Sequence, residues 1–586
     1  MTAPTQAAGP SPRQRLAYAC FAALCVLGSA LLRAPALDAR LLADDWDHYA
    51  MSAGIYPRPR CALDHFDFIG RGPEERTALL ASGRLPWWSA PDLQMTLLRP
   101  LASALGAFDF QVLDGARHPA RMHAHSLLIW MLLLCGVALV LPELLPLPAA
   151  GLALLLYSCE DAAILPVTWI ANRSELIANA CVVFALYCQL RGLRVASLAL
   201  VALALLAGEH ALPALGYLAA FELARGFRWQ RLAPLCALVV SYFAGRAALG
   251  WAASGLTMYI DPIATPRRFL SAASDRLPLL FGDVVFGIAS DWFPGGPPRG
   301  ELFGLPLVPK AVDWPSLQLG LGWLACALVI GTLLALRGRG PVFWLLLAAA
   351  LSLVPMCAAT PMGRLTLPAA LGVHAAFGAG LWALARRSRT AAAALGCVLL
   401  WVHGVSAGLR SHREPELYVR MARSEEQWGA LAHLDVGRRE VILISAGYST
   451  HWVMPYVRHL HGLPPLTGSH TLSAAYLSEH ELVRSGERSL EIRLPGRPRG
   501  GTFSGSVYRA EDRPFFAGQR IITPRFSVEI LAADGGEPVW MRFTFPNSLD
   551  WDGYRFVYPF RQGVLRLTLP PIGGRLMLPP PAFPPT

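Results

Sequence analysis

Residues 13–49 read RQRLAYACFAALCVLGSALLRAPALDARLLADDWDHY. Arg13 and Arg15 precede an apolar run over about 16–36, and two adjacent acids, Asp44 and Asp45, follow it. A run of about 20 apolar residues is long enough to cross a bilayer. Basic residues stay on the inner side, so this span runs outward and delivers the acid pair to the outer face. The run lacks a small-residue cleavage site and reads as a retained helix rather than a removed leader.

The remainder of the 586 residues carries the same signature, with 54% hydrophobic and only 16% charged residues. Apolar stretches recur near 124–141, 143–159, 175–190, 195–208, 211–224, 232–250, 316–336, 341–359, 365–385 and 390–409. Together with the first run they make about eleven transmembrane helices. The expected inner loops hold Arg191/Arg194, Arg225/Arg228/Arg231, Arg337/Arg339 and Arg386/Arg387/Arg389, and only the 142–148 turn lacks an arginine. This arginine distribution explains the net charge of +11 without a nucleic-acid partner. It predicts a cytoplasmic N-terminus and an outer C-terminus. Arginine-rich usage, with Lys310 the one lysine among 51 basic residues, favours a bacterial inner membrane and a periplasmic C-terminal domain.

Composition divides the chain further. Residues 1–15 form a cytoplasmic tail, polar and Pro/Ala-rich at its start. Residues 16–410 make the transmembrane domain. Its outer segment 37–123 carries Trp87-Trp88 and Arg99-Pro100-Leu101, a mixture suited to interfacial helices. The outer segment 251–315 is Pro/Gly-rich and reads as a loop with a short helix, in the manner of a lid. Residues 411–578 alternate polar and apolar positions, at 489–494 and 526–531, around the turn Asp534-Gly535-Gly536. Further strands are expected at 439–444, 539–545, 555–560 and 563–569, giving an extracytoplasmic α/β to β-rich domain before the Pro-rich tail 579–586. Trp540, Trp551 and Tyr554 there suit a sugar surface or, more ordinarily, a β-domain core.

Ionisable residues at span ends are the candidate site. Asp44 and Asp45 offer paired carboxylates for proton abstraction, or simply a solvated acidic loop. Trp169-Ile170-Ala171-Asn172-Arg173-Ser174-Glu175-Leu176 opens the span at 175–190, where Arg173 and Glu175 face a polar ligand or form a snorkelling pair. Glu209 and His210 interrupt the run between 195–208 and 211–224. Arg364 stands alone on the outer side, a guanidinium matched to phosphate oxygens. Arg99 and His123 are weaker candidates. His123 and His125, two positions apart, cannot share a helix face, and His374 reads as a hydrogen-bonded core residue. The eleven cysteines mostly lie within spans, and Cys61 and Cys159 could pair outside. No CxxC or His cluster indicates a metal, and no nucleotide-phosphate loop of the GxxxxGK[ST] type occurs.

These motifs, in this order over residues 1–410, resemble the polytopic GT-C glycosyltransferases, especially protein O-mannosyltransferases and TMTC-like proteins. Asp44-Asp45 matches the acidic motif after the first helix, Arg99-Pro100-Leu101 an Arg-Pro-Leu element, and Trp169 to Leu176 a WIAxRxD/E-L element. Glu209 matches half of a Lys-Glu turn, with Gly208 in the lysine's place. Arg364-Leu365-Thr366-Leu367-Pro368 matches a late Arg-Tyr/Leu-x-x-Pro element. Cys159-Glu160-Asp161 stands where relatives have a His-Pro…Glu run.

The resemblance implies transfer of a sugar from a polyprenyl-phosphate donor to an acceptor hydroxyl on a protein or glycan, at the outer face. Asp44 or Asp45 would be the base. Arg364 and Arg173 would hold phosphate, and Glu175, Glu209 and His210 would orient the sugar or the arginines. Members of the group differ in their need for a divalent metal, and the sequence forces none. Two readings from other classes stand beside this one: a polar-lipid transporter or flippase, and a catalytically inactive scaffold.

Overall fold

The computed structural model describes residues 10–226, 228–290, 313–431, 434–446, 450–499, 501–560 and 563–581. The chain forms two compact units. Unit 1 comprises Met1–Leu37, Met122–Ala244 and Pro262–Glu416, and unit 2 comprises Asp38–Arg121, Gly245–Asp261 and Leu417–Thr586.

Unit 1 is helical. Its first helix, Pro12–Leu32, starts at a capping box in which Ser11 and Gln14 satisfy each other's backbone N–H groups, with Pro12 at the first position. Leu16, Leu24, Leu27 and Leu31 on this helix are exposed, as a lipid-facing stripe requires. Among the described residues five helices are long and apolar enough to span a bilayer: Pro12–Asp38, Pro119–Leu144, Trp314–Leu336, Gly363–Ala385 and Arg389–Gln427. A sixth span forms if Leu147–Ser158 and Asp161–Thr168, bent by 45°, cross together.

The other expected stretches are also helices: Arg173–Leu190, Arg194–Ala207, Pro213–Ala224, Trp229–Ala248 and Gly340–Met356. They fall short of that length or apolarity, so eleven complete spans are not established. Two helices are broken short at Gly208-Glu209, and others begin or end on charged residues. The segment at 251–315, read as a loop with a short helix, contains a longer one of 21 residues, Pro266–Phe286. Its remainder over 291–312 lies outside the described residues.

Helices of unit 1 meet through small residues. A Cβ added at Gly372 would lie 2.2 Å from the Leu345 carbonyl oxygen, so the helices Leu367–Ala385 and Gly340–Met356 touch backbone to backbone. Tyr217 fixes the start of Leu367–Ala385 by donating to the Pro368 carbonyl at 2.6 Å and accepting from Gly372 N–H at 3.2 Å.

Unit 2 is mixed. Six antiparallel strands run in the order Arg575–Leu578, His480–Val483, Ser489–Arg493, Glu537–Thr544, Ser527–Asp534, Arg520–Ile522. The predicted hairpin joins Ser527–Asp534 to Glu537–Thr544, with positive φ at both Gly535 (57°) and Gly536 (84°). Two consecutive positive φ values suit the right-handed twist of a tight hairpin, and glycine adopts them freely. A second sheet orders Gly563–Arg566, Tyr554–Phe560, Glu440–Ser445 and Gly468–Ser473, the last three mutually parallel neighbours.

Its core includes Val441, Leu443, Met454, Val557 and Val564. Trp87 and Trp88, expected in interfacial helices, pack instead against Phe503 within unit 2. Trp540 donates to Glu491 at 2.9 Å and lies under Arg493, Tyr554 is buried, and Trp551 is half exposed.

Candidate functional sites within the two units

In unit 1 three short 3₁₀ turns, Ile170–Asn172, Glu209–Ala211 and Gly363–Thr366, each lead into a helix. Arg173, Glu175, Glu209, His210 and Arg364 each sit in one of these turns or within three residues of it, whereas His123, His125 and His374 do not. The reason is local: each turn breaks an apolar run with polar or small residues, and the following helix restarts beyond it. Gly208, at φ 148° and ψ 179°, precedes Glu209 in a conformation that residues with a side chain rarely adopt. This backbone requirement accounts for a glycine where the related motif has lysine.

The turns bring Glu175, Arg364 and His210 together. Arg364 Nη1 donates to Glu175 Oε2 at 3.0 Å, and His210 Nδ1 lies 4.0 Å from the same oxygen. Glu175 is fully buried and Arg364 is 7% exposed. Glu175 also occupies the first turn of Arg173–Leu190, where the helix dipole favours an anion. Arg364 Nε is buried without a hydrogen bond, which leaves part of its guanidinium uncommitted.

Arg173 is engaged elsewhere. Its guanidinium donates to the Met122 carbonyl at 2.7 Å and Ser126 Oγ at 2.8 Å, with His125 Nδ1 3.3 Å away. His123 approaches the Val167 carbonyl through Nδ1 at 3.3 Å. Arg173 therefore ties Pro119–Leu144 to the start of its own helix. Glu209 is half-buried beside His210.

Asp44, Asp45 and Arg99 belong to unit 2. The acids open the helix Asp44–Ser52, where uncapped backbone N–H groups favour carboxylates. Ala43 just before them has φ 47° and ψ −113°, a strained backbone for alanine, and its N–H donates to Glu425 at 2.9 Å. Asp45 is fully buried and accepts from Leu42 N–H at 3.1 Å; Asp44 is half-buried. Arg99 stacks on Phe66, 5.0 Å from the ring centre, at the start of Pro100–Gln111.

Sequence reasoning passed over Asp47 and Arg84. Arg84 donates to both Asp47 oxygens, from Nε at 2.9 Å and Nη2 at 2.6 Å, and to Tyr508 at 3.3 Å, with its Cζ 4.6 Å from the centre of the Trp452 ring. Burial pushes the Asp47 carboxyl up from its ordinary range, and Asp47 in turn holds Arg84 firmly charged. Tyr508 also feels the charge of Asp44. A buried arginine 37 positions from its acid leaves no sequence signal, because no periodicity links them.

Cys61 and Cys159 are both free thiols. The expectation for His374 fails: neither of its ring nitrogens makes a hydrogen bond.

No family model and no curated protein matches the chain. The structure is similar to ArnT from Cupriavidus metallidurans bound to undecaprenyl phosphate, at 12% identity and TM-score 0.40, over 78% of this chain and 86% of that one. It is similar, also at 12% identity and TM-score 0.40, to the Archaeoglobus fulgidus oligosaccharyltransferase tethered with an acceptor peptide, over 78% of this chain and 64% of that one.

Proposed function

We propose that the chain is a membrane glycosyltransferase that moves a sugar from a polyprenyl-phosphate donor to an acceptor hydroxyl. The observation that carries this reading is the buried Arg364–Glu175 pair, 3.0 Å apart, inside an apolar helical unit. Charge is expensive in such a place, and residues kept there serve a polar ligand more often than the bundle itself. The motif resemblance over residues 1–410 supplies the reaction class.

In this mechanism the acceptor O–H loses its proton to a carboxylate as its oxygen bonds to the anomeric carbon. The bond between that carbon and the phosphate oxygen breaks, and the polyprenyl phosphate leaves with the electron pair. Arg364 stabilises the charge growing on the phosphate. Glu175 orients the guanidinium, and His210 and Glu209 contribute to the sugar site. The motif resemblance makes Asp44 or Asp45 of unit 2 the base; Asp44 is half-buried, and Asp45 is buried and accepts from Leu42 N–H. Arg173 and His123 position helices rather than phosphate. The site works at the outer face of a bacterial inner membrane, with residues 411–578 periplasmic.

The test uses full-length protein in lipid nanodiscs with polyprenyl-phosphate sugars and hydroxyl acceptors. Turnover by the wild type, lost in Arg364→Met and Asp44→Asn, supports the reading. Undiminished turnover in both Asp44→Asn and Asp45→Asn removes the proposed base. Movement of the lipid-sugar across vesicles without acceptor consumption favours a transporter instead.

A further inference from the structure

We propose that Glu160, His374 and His403 in unit 1 form a binding site for a divalent cation of the zinc class. The inference does not depend on the glycosyltransferase reading. All three side chains are buried, at 4%, 1% and 4% exposure, and one ligand atom from each lies within 4.8 Å of the other two.

Three observations favour a cation over an ordinary polar core. First, His374 has no hydrogen bond at either ring nitrogen although it is almost fully buried. A buried imidazole left that way is costly, and a metal would use one of its nitrogens. Second, His374 Nε2 lies 3.3 Å from Glu160 Oε2 without hydrogen-bond geometry. Two ligands at about 2.0–2.1 Å from one tetrahedral zinc stand about 3.3 Å apart. Third, His403 Nε2 faces the Val285 carbonyl at 3.1 Å. A proton donated there leaves the Nδ1 lone pair free, the arrangement that commonly orients a metal-bound histidine.

Beside the cluster, Arg410 pairs with Asp161 at 2.5 Å, and Arg33 donates to the backbone carbonyl of Glu160. Two histidines and a glutamate are a zinc donor set that leaves a fourth position for water.

His403 lies in a π-helical segment, Leu400–Ser406, and such local widenings occur frequently at functional sites. The ion would staple three separate pieces of unit 1: the break after Leu147–Ser158, the helix Leu367–Ala385 and this π-helical segment.

The experiment measures metal on full-length protein purified in detergent, by elemental analysis after equilibration with zinc and by visible spectroscopy after loading with Co²⁺. About one zinc per chain is expected, together with the intense visible bands of low-coordinate Co²⁺. His374→Gln and His403→Gln should each lose both signals while eluting as folded protein. If either variant fails to fold, chelator-stripped wild type replaces it, and return of one zinc with a rise in Tm supports the site. Wild type that binds no stoichiometric zinc, or folded variants that bind it undiminished, overturn the proposal.

Discussion

Arg364 donates to Glu175 at 3.0 Å across 189 positions of sequence, and both side chains are buried. Removing one partner of such a pair strands a charge and costs about 3–5 kcal/mol. Glu175→Gln and Arg364→Met should each lower stability by about that amount. The double variant should lose less than the sum, with a coupling of about 0.5–3 kcal/mol. Denaturation in detergent measures the cycle. Strict additivity would show that the two side chains do not interact. Activity should stay low in the double variant, because the cation proposed to bind phosphate remains absent.

Asp44 and Asp45 separate by their surroundings. Asp45→Ala removes the acceptor of Leu42 N–H and should cost about 0.5–2 kcal/mol, seen as a lower Tm. Asp44→Asn, at a half-buried position, should leave Tm nearly unchanged. Its turnover should fall by about 10²–10⁴, the usual contribution of a general base. A large Tm loss in Asp44→Asn with turnover per folded molecule intact would assign it a structural role.

The architecture was legible where pattern is local. Apolar runs located the helices, and alternation with Asp534-Gly535-Gly536 located the hairpin whose glycines take φ 57° and 84°. The number of complete crossings was less legible, because an apolar run reads alike whether it spans or stops short, and Arg194–Ala207 ends before Gly208 after 14 residues. In the site, Glu175, His210 and Arg364 were found because charge at a span end is conspicuous. Their mutual contact was not readable. Asp47–Arg84 and Glu160–His374–His403 were invisible for the same reason: they depend on tertiary meeting of residues whose individual settings look ordinary. His374 within an apolar run resembles any core histidine until its unpaired nitrogens are seen.

His65 and Asp67 give unit 2 two opposed pH responses. Burial lowers His65 to about 4 and raises Asp67 to about 6 against the pull of Arg60. The native state disfavours a proton on His65, so this contribution is complete above the unfolded value of about 6.5 and is lost as pH falls through 4. The native state retains a proton on Asp67, so that contribution is complete below about 3.8 and is lost as pH rises through 6. Between pH 4 and 6 the two slopes oppose each other. His65→Gln should make Tm fall with rising pH over this window, and Asp67→Asn should make it rise. Thermal unfolding from pH 4 to 7 checks both signs, and a common sign in the two variants would refute the assignment.

Gly372 and Gly380 lie on the same helix, Leu367–Ala385, and differ only in what a side chain would meet. At Gly372 a Cβ would fall 2.2 Å from the Leu345 carbonyl oxygen and 2.7 Å from Ala349 Cβ, whereas at Gly380 nothing lies within 4 Å. Backbone cannot yield as a flexible side chain does, so Gly372→Ala must push two helices apart. Such overpacking costs about 1–3 kcal/mol. Gly380→Ala should instead be neutral or stabilising by up to about 1 kcal/mol, since alanine loses less backbone entropy in a helix. The same displacement would carry through Tyr217, which holds Gly372 N–H at 3.2 Å, to the turn bearing Arg364. Gly372→Ala should therefore weaken donor binding as well as lower Tm, while Gly380→Ala changes neither adversely. Equal Tm values for the two variants would mean that these helices are not in backbone contact.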